Sequence, residues 1–168
     1  MKKIKLEELT QKIDPIVKMR EKNWFLVTAK DDTGVNTLTA AWGAFGNVWE
    51  KKTVTIYIRP QRYTKKFIDN SGEFTLTFFD GYLKELGYLG SVSGKDEPNK
   101  IEKSGLHLTD IDGKPTFKEG KIVLICKTLY KDAIKQENFI ESEFAENTYP
   151  DKDFSVIYIA EIKEAYEF

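Results

Sequence analysis

Four segments of the chain alternate apolar and polar side chains with the period of a β-strand. Across residues 53–59, Val54, Ile56 and Ile58 fall on one face and Thr53, Thr55, Tyr57 and Arg59 on the other. Residues 73–79 set Phe74, Leu76 and Phe78 against Thr75 and Thr77. Residues 121–129 and 154–162 are β-branched or aromatic, with too few polar positions to be simple surface strands. Residues 23–29 and 35–45 predict a hairpin across Lys30-Asp31-Asp32-Thr33-Gly34, a turn rich in Asp and Gly. Helical patterns cover residues 6–19, interrupted at Asp14-Pro15, and residues 61–70, 81–89 and 99–103. Strands in this number, with short helices between them and no regular βαβ alternation, predict a closed antiparallel barrel with peripheral helices. No repeat, low-complexity tract or linker divides the chain, so residues 1–168 read as a single domain.

Composition narrows the possible functions. A chain of 168 residues buries about 70% of its extended surface and needs no staple. Lys+Arg 26 against Asp+Glu 27 gives a net charge of -1, which excludes a nucleic-acid footprint over the whole surface. The single cysteine, Cys126, allows no internal disulfide and fits a reducing compartment. The N-terminus has no apolar signal-peptide core. The longest uncharged run, residues 33–49, is too short and too polar to span a bilayer. A cytoplasmic protein without membrane contact is expected. His107 is the only histidine, so neither a multi-histidine metal site nor paired-imidazole catalysis is available, and no metal is expected. His107 is expected to start a strand, and Cys126 lies in an apolar strand as a small hydrophobe. There is no G-x-S-x-G, P-loop or G-x-G-x-x-G, and no spacing singles out a catalytic carboxylate pair.

Three segments carry candidate chemistry. In Asn36-Thr37-Leu38-Thr39-Ala40-Ala41-Trp42-Gly43, small and hydroxylated residues surround one tryptophan. Such a backbone can approach a flat ligand closely. Trp42 can wall a ring slot, although core packing is the commoner fate of a tryptophan. In Arg59-Pro60-Gln61-Arg62-Tyr63-Thr64, two arginines stand at a strand-to-helix junction, with Lys65 and Lys66 following and no acid before Asp69. Pro60 disfavours helix at Arg59 and suits a first helical turn. Cations at a helix N-terminus run against its dipole, and a bound dianion would relieve that conflict; the plainer alternative is a solvated basic helix start. The third segment, Gly87-Tyr88-Leu89-Gly90-Ser91-Val92-Ser93-Gly94-Lys95-Asp96, offers N–H groups and hydroxyls to an anion, with Lys95 or Lys100 as counter-charge. Alone it is only a Gly/Ser loop. A planar ring on the first segment and a phosphate on the second describe a mononucleotide, and FMN fits best.

Together with Phe78-Phe79-Asp80, these motifs resemble the flavin reductase-like family of the FMN-binding split barrel. The resemblance runs in order from about residue 24 to residue 162. It implies an antiparallel Greek-key split β-barrel, mainly β with peripheral helices, that forms a homodimer with FMN near the interface. Carried over, it places Thr37, Thr39, Ala40, Ala41 and Trp42 along the ring or ribityl chain, with Asn36 also among the cofactor-binding residues. It places Arg59, Gln61, Arg62, Tyr63 and Thr64 around the phosphate, with Ser91, Ser93 and Lys95 beside them. The chain departs from the family near the last strand, where Ser155 stands in place of a histidine and Ala160 in place of a glycine.

The function this implies is transfer of electrons from NAD(P)H through bound FMN to free flavin or another acceptor. The flavin performs the chemistry, so no acid–base pair is needed. A second reading is a flavoredoxin-type electron carrier reduced by a protein partner, which the absent histidine favours. A third is a split-barrel binding module without cofactor, against which the arginines and the small-residue strand stand.

Overall fold

Asp31 opens a tight turn by accepting hydrogen bonds from the Thr33 N–H (2.8 Å) and hydroxyl (2.5 Å), as short polar side chains do at turns. It joins β2 (Phe25–Asp31) to β3 (Gly34–Ala40), with Asp31 opposite Gly34. The computed structural model describes residues 1–8 and 24–168. The predicted hairpin is present, but the single strand expected over residues 35–45 is two. The chain leaves β3 at Ala40, passes Ala41 and Trp42, and enters β4 (Gly43–Val48), which pairs with β5 (Lys51–Ile58) and not with β2.

The remaining strands are β6 (Glu73–Phe78), β7 (Leu108–Ile111), β8 (Lys114–Phe117), β9 (Ile122–Ala133) and β10 (Val156–Glu167). A short β1 (Lys2–Ile4) pairs with the end of β10. The main sheet runs β3-β2-β6-β9-β10-β5-β4, all antiparallel. Its two ends, β3 and β4, are consecutive in sequence yet share no ladder. The barrel is therefore split at the Ala41–Trp42 crossing rather than closed.

Alternation builds the core. Phe74, Leu76 and Phe78 of β6 meet Val27, Ile56, Leu124, Cys126 and Tyr158 inside the barrel. The opposite face of β6 is not solvated. The β7–β8 hairpin covers it, Thr75 donating to the Pro115 carbonyl (2.7 Å) and Thr77 sharing a hydroxyl bond with Thr116 (2.8 Å). Outside the barrel Leu26 packs with Leu86, Leu89, Leu106 and Phe117 in a second cluster. Cys126 is fully buried, and that burial holds its thiol protonated far above the usual range. Among the described residues no helix is long and apolar enough to cross a membrane.

The helices are α1 (Thr64–Ser71), α2 (Leu83–Ser91), α3 (Lys100–Lys103) and α4 (Ser142–Thr148). Helix α1 starts three residues later than the periodicity suggests, because Pro60 and Gln61 form a turn closed by Arg62 N–H on the Arg59 carbonyl (3.1 Å). It ends on left-handed Gly72, whose N–H bonds the Ile68 carbonyl. Of the helix expected over residues 6–19, a 3₁₀ turn at Leu6–Glu8 is seen; the rest lies outside the described residues. His107 precedes β7, which begins at Leu108.

Candidate functional site

Two adjoining cavities lie at the split, sharing Leu38, Gln61 and Arg62 in their walls. The first, about 230 Å³, is bounded by Thr39, Ala40, Ala41 and Trp42 at the end of β3, by Tyr57, Ile58 and Arg59 at the end of β5, and by Ser155 before β10. The second, about 190 Å³, is bounded by Asn36, Tyr63, Thr64, the end of α2 at Gly90 and Ser91, the following residues Val92 to Gly94, and Lys100. The small side chains of Ala40 and Ala41 and the half-exposed Trp42 (46%) form a slot suited to a planar ring.

Glycine is required where the loop meets β3. A Cβ on Gly94 would stand 2.4 Å from the Asn36 amide oxygen, and one on Gly90 would stand 3.1 Å from the Thr39 Cβ. The loop therefore lies directly on the strand. Asn36 donates to the Thr64 hydroxyl (3.1 Å), and Thr39 donates to the Leu86 carbonyl (2.6 Å). Strand β3, the start of α1 and the end of α2 are thus fixed to one another around the second cavity.

The electrostatics of the two arginines differ. Arg59 grips both Asp153 oxygens (2.6 Å each), donates to the Thr148 carbonyl (2.8 Å) and lies 4.9 Å from the Tyr149 ring centre. Gln61 donates to the same carboxylate (2.7 Å). The Arg59 bond, followed by that from Gln61, holds the Asp153 carboxyl below its usual range. Among the described residues Arg62 instead reaches only the Thr39 carbonyl, at 3.4 Å, and partial burial lowers its pKa. Lys100, 2% exposed, donates to the Leu89 and Val92 carbonyls (3.1 and 2.9 Å). Burial first, and the charge of Arg62 second, push its ammonium down to about 8. Among the described residues no ion pair engages Arg62 or Lys100. Two cations in one wall with no counter-charge among the described residues, beside Thr64, Ser91 and Ser93, have the chemistry to accept a dianion such as a phosphate monoester.

Of the residues singled out in the sequence, Thr39, Ala40, Ala41, Trp42 and Arg59 line the first cavity, and Asn36, Tyr63, Thr64, Ser91 and Ser93 line the second; Gln61 and Arg62 line both. Thr37 faces away. It is fully buried, bonded to the Thr28 hydroxyl and the Val27 carbonyl. Lys95 is exposed and outside both walls, and Lys100 occupies the place expected of it. Ser155 is buried, its hydroxyl accepting from Tyr149 at 3.2 Å. The role of Tyr149 had no local signal in the sequence. Among the described residues no cluster of His, Cys, Asp or Glu is arranged to hold a metal ion.

No family model matches the sequence. An uncharacterised protein of Aeropyrum pernix is 30% identical over 127 residues, 71% of this chain. That match covers 44% of the relative, so the chain spans less than half its length. The FMN-binding domain of a flavin reductase-like enzyme from Shewanella baltica superposes with a TM-score of 0.70 at 21% identity, over 99% of this chain and 76% of that one. Flavoredoxin from Methanosarcina acetivorans gives 0.64 at 22% identity, over 87% and 68%. The styrene monooxygenase flavin reductase of Pseudomonas putida gives 0.61 at 14%, over 86% and 79%. These likenesses establish the split-barrel fold, in agreement with the resemblance read from the motifs.

Proposed function

We propose that this chain is an FMN-binding oxidoreductase of the flavin reductase-like split-barrel type. The observation that carries the reading is the pair formed by half-buried Arg62 and buried Lys100, in one wall and without a carboxylate among the described residues. Leaving two like charges desolvated together is costly, and a phosphate dianion offsets that cost. In this assignment Arg62, Lys100, Thr64, Ser91 and Ser93 hold the phosphate. Thr39, Ala40, Ala41 and Trp42 border the ring. Asn36 orients Thr64, and Tyr63 completes the phosphate-side wall. Arg59 and Gln61 act from behind by tying residues 148–153 to the cavity rim. FMN, when bound, supplies one- and two-electron redox chemistry, and the chain orients and tunes it. Protein reconstituted with FMN and desalted is expected to keep about one flavin per chain, read by visible absorbance. A colourless protein after desalting would overturn the reading.

For the electron donor, the reading with NAD(P)H stands beside that of a carrier reduced by another protein. One observation favours the second. Ser155 occupies the wall where the family carries a histidine, and Tyr149 already uses its hydroxyl. His107 stands elsewhere, paired with Glu119 at 2.7 Å. Anaerobic mixing of the flavin-loaded protein with NADH or NADPH separates the two, slow bleaching of the flavin supporting the carrier. A homodimer belongs to the same proposal. Its support is the exposed apolar group of Trp49 (58%), Tyr130 and Leu129, where the Trp49 and Tyr130 rings stand 6.3 Å apart.

A further inference from the structure

The ring-side cavity opens beside a surface of one sign. Residues 136–153 carry Glu137, Glu141, Glu143, Glu146, Asp151 and Asp153 against the single base Lys152. Arg59 and Gln61 engage Asp153. Glu141, Glu143 and Glu146, on and beside α4, are exposed. Among them stand two bare apolar side chains, Ile140 (100% exposed) and Phe144 (61%). Phe144 packs against Phe139 (6.4 Å between ring centres), Phe139 against Tyr149 (6.3 Å), and Tyr149 edge-on against Trp42 (6.4 Å), the wall of the cavity. The exposed face and the cavity are therefore linked by a continuous series of rings.

We propose that this face, apolar at its centre and acidic at its rim, is where a basic electron-carrier protein docks to reduce the flavin. The inference rests on the FMN reading above. A small apolar centre within a charged rim is the make-up of a transient interface, and the acidic rim selects and steers a partner of opposite sign. A two-fold contact centred on this patch would set Glu141, Glu143 and Glu146 against their own copies, so a second copy seated there is disfavoured, and sedimentation tests it. A dinucleotide meets the same acids with its negative pyrophosphate. The acidic rim defines this partner by its positive charge, and its redox centre is taken to be a one-electron carrier. In each of two encounters its reduced centre is oxidised by one electron. Two protons from solvent complete reduction of the flavin to the dihydro form.

The test uses FMN-loaded protein and cytochrome c, a strongly basic haem protein, as probe. Binding is titrated at low and moderate salt, and oxidation of the photoreduced flavoprotein by the probe is followed in a stopped-flow instrument. The triple variant Glu141→Gln, Glu143→Gln and Glu146→Gln is expected to weaken binding at low salt by about tenfold or more and to slow electron transfer in parallel. A control triple with the same charge change, Asp32→Asn, Asp96→Asn and Glu102→Gln, is expected to stay within about twofold of the parent. Phe144→Ser is expected to weaken binding by about fivefold without altering its salt dependence. Equal losses in the two triples would overturn the proposal, as would a dimer in sedimentation that Phe144→Ser dissociates. Flavin content, measured separately, reports on the FMN reading; the probe still binds the docking face if no flavin is taken up, so the two claims fail independently.

Discussion

Arg59 and Arg62 stand three residues apart in one basic segment, yet the fold gives them opposite electrostatic fates. Arg59 is neutralised by Asp153, capped on the Thr148 carbonyl and covered by Tyr149. Arg62 is half-buried with one long backbone contact and lies near Lys100, neither having a carboxylate partner among the described residues. The first arginine belongs to the structure of the cavity rim. The second has no carboxylate partner among the described residues, and for that reason it is the one assigned to a ligand's phosphate in the proposed function. A cation's use is set by what neutralises it, and here that partner lies 94 residues away in sequence for Arg59 and is absent from the described residues for Arg62.

The largest expected effect is on the uncompensated pair. Arg62→Met or Lys100→Met should each weaken FMN by about 1.5–3 kcal/mol, the range for charge-assisted hydrogen bonds, measured by quenching of flavin fluorescence. Arg59→Ala should change FMN affinity much less, while making residues 136–153 more susceptible to limited proteolysis. The reverse ranking would break the distinction between the two arginines.

Next in size is Gly94→Ala. Its Cβ must push Asn36 aside and break the Asn36–Thr64 bond. A loss of about 1–3 kcal/mol in stability is expected by denaturant titration, as for other overpacked sites. A thermodynamically silent substitution would show that the loop does not press on β3.

Acidity sharpens the contrast further. The Lys100 ammonium is depressed to about 8, below the ordinary lysine value near 10.4. Between those values the unfolded chain binds the extra proton and the folded one does not, so this residue makes the free protein gain stability as pH rises through about 8. On the proposed assignment a phosphate needs the charged form of Lys100, so FMN affinity should fall over the same interval. Lys100→Arg, which keeps its charge, should flatten that fall, and a flat profile in the parent would remove Lys100 from the phosphate site. The smallest effect is assigned to Tyr149→Phe. It deletes the bond to Ser155 and should cost about 0.5–1.5 kcal/mol in stability, with FMN affinity unchanged.

Strands β5 and β6 were legible from their local apolar alternation, β9 and β10 from their β-branched and aromatic runs, and the β2–β3 turn because Asp31 and Gly34 announce it. The break at Ala41–Trp42 was not. Nothing in that sequence stops a strand; the chain merely changes partner from β2 to β5, a tertiary event. The β7–β8 hairpin did carry a signal, Asp112-Gly113, with both residues left-handed at φ 49° and 79°, but its strands are only four residues each and β8 includes Pro115. At the site the small-residue strand was visible as a type of residue, whereas the first half of the Gly/Ser segment, read as a loop, is the end of α2, which runs to Ser91 because its packing on β3 overrides the glycines. Which lysine faces inward was not, because Lys95 and Lys100 differ only in burial. The pairing of Arg59 with Asp153 was equally hidden, since it depends on how residues 148–153 fold back. Ser155 was noticed for the histidine it lacks, whereas its partner Tyr149 required the fold.

The central claim is that Arg62 and Lys100, not Arg59, recognise a phosphate. Parallel titration of the parent, Arg59→Ala and the Arg62→Met/Lys100→Met double variant with FMN and with riboflavin at low salt tests it directly. The account predicts that the parent and Arg59→Ala prefer FMN by about tenfold or more, and that the double variant binds both flavins alike. Equal affinity of the parent for the two flavins, or a preference lost in Arg59→Ala and kept in the double variant, would contradict it.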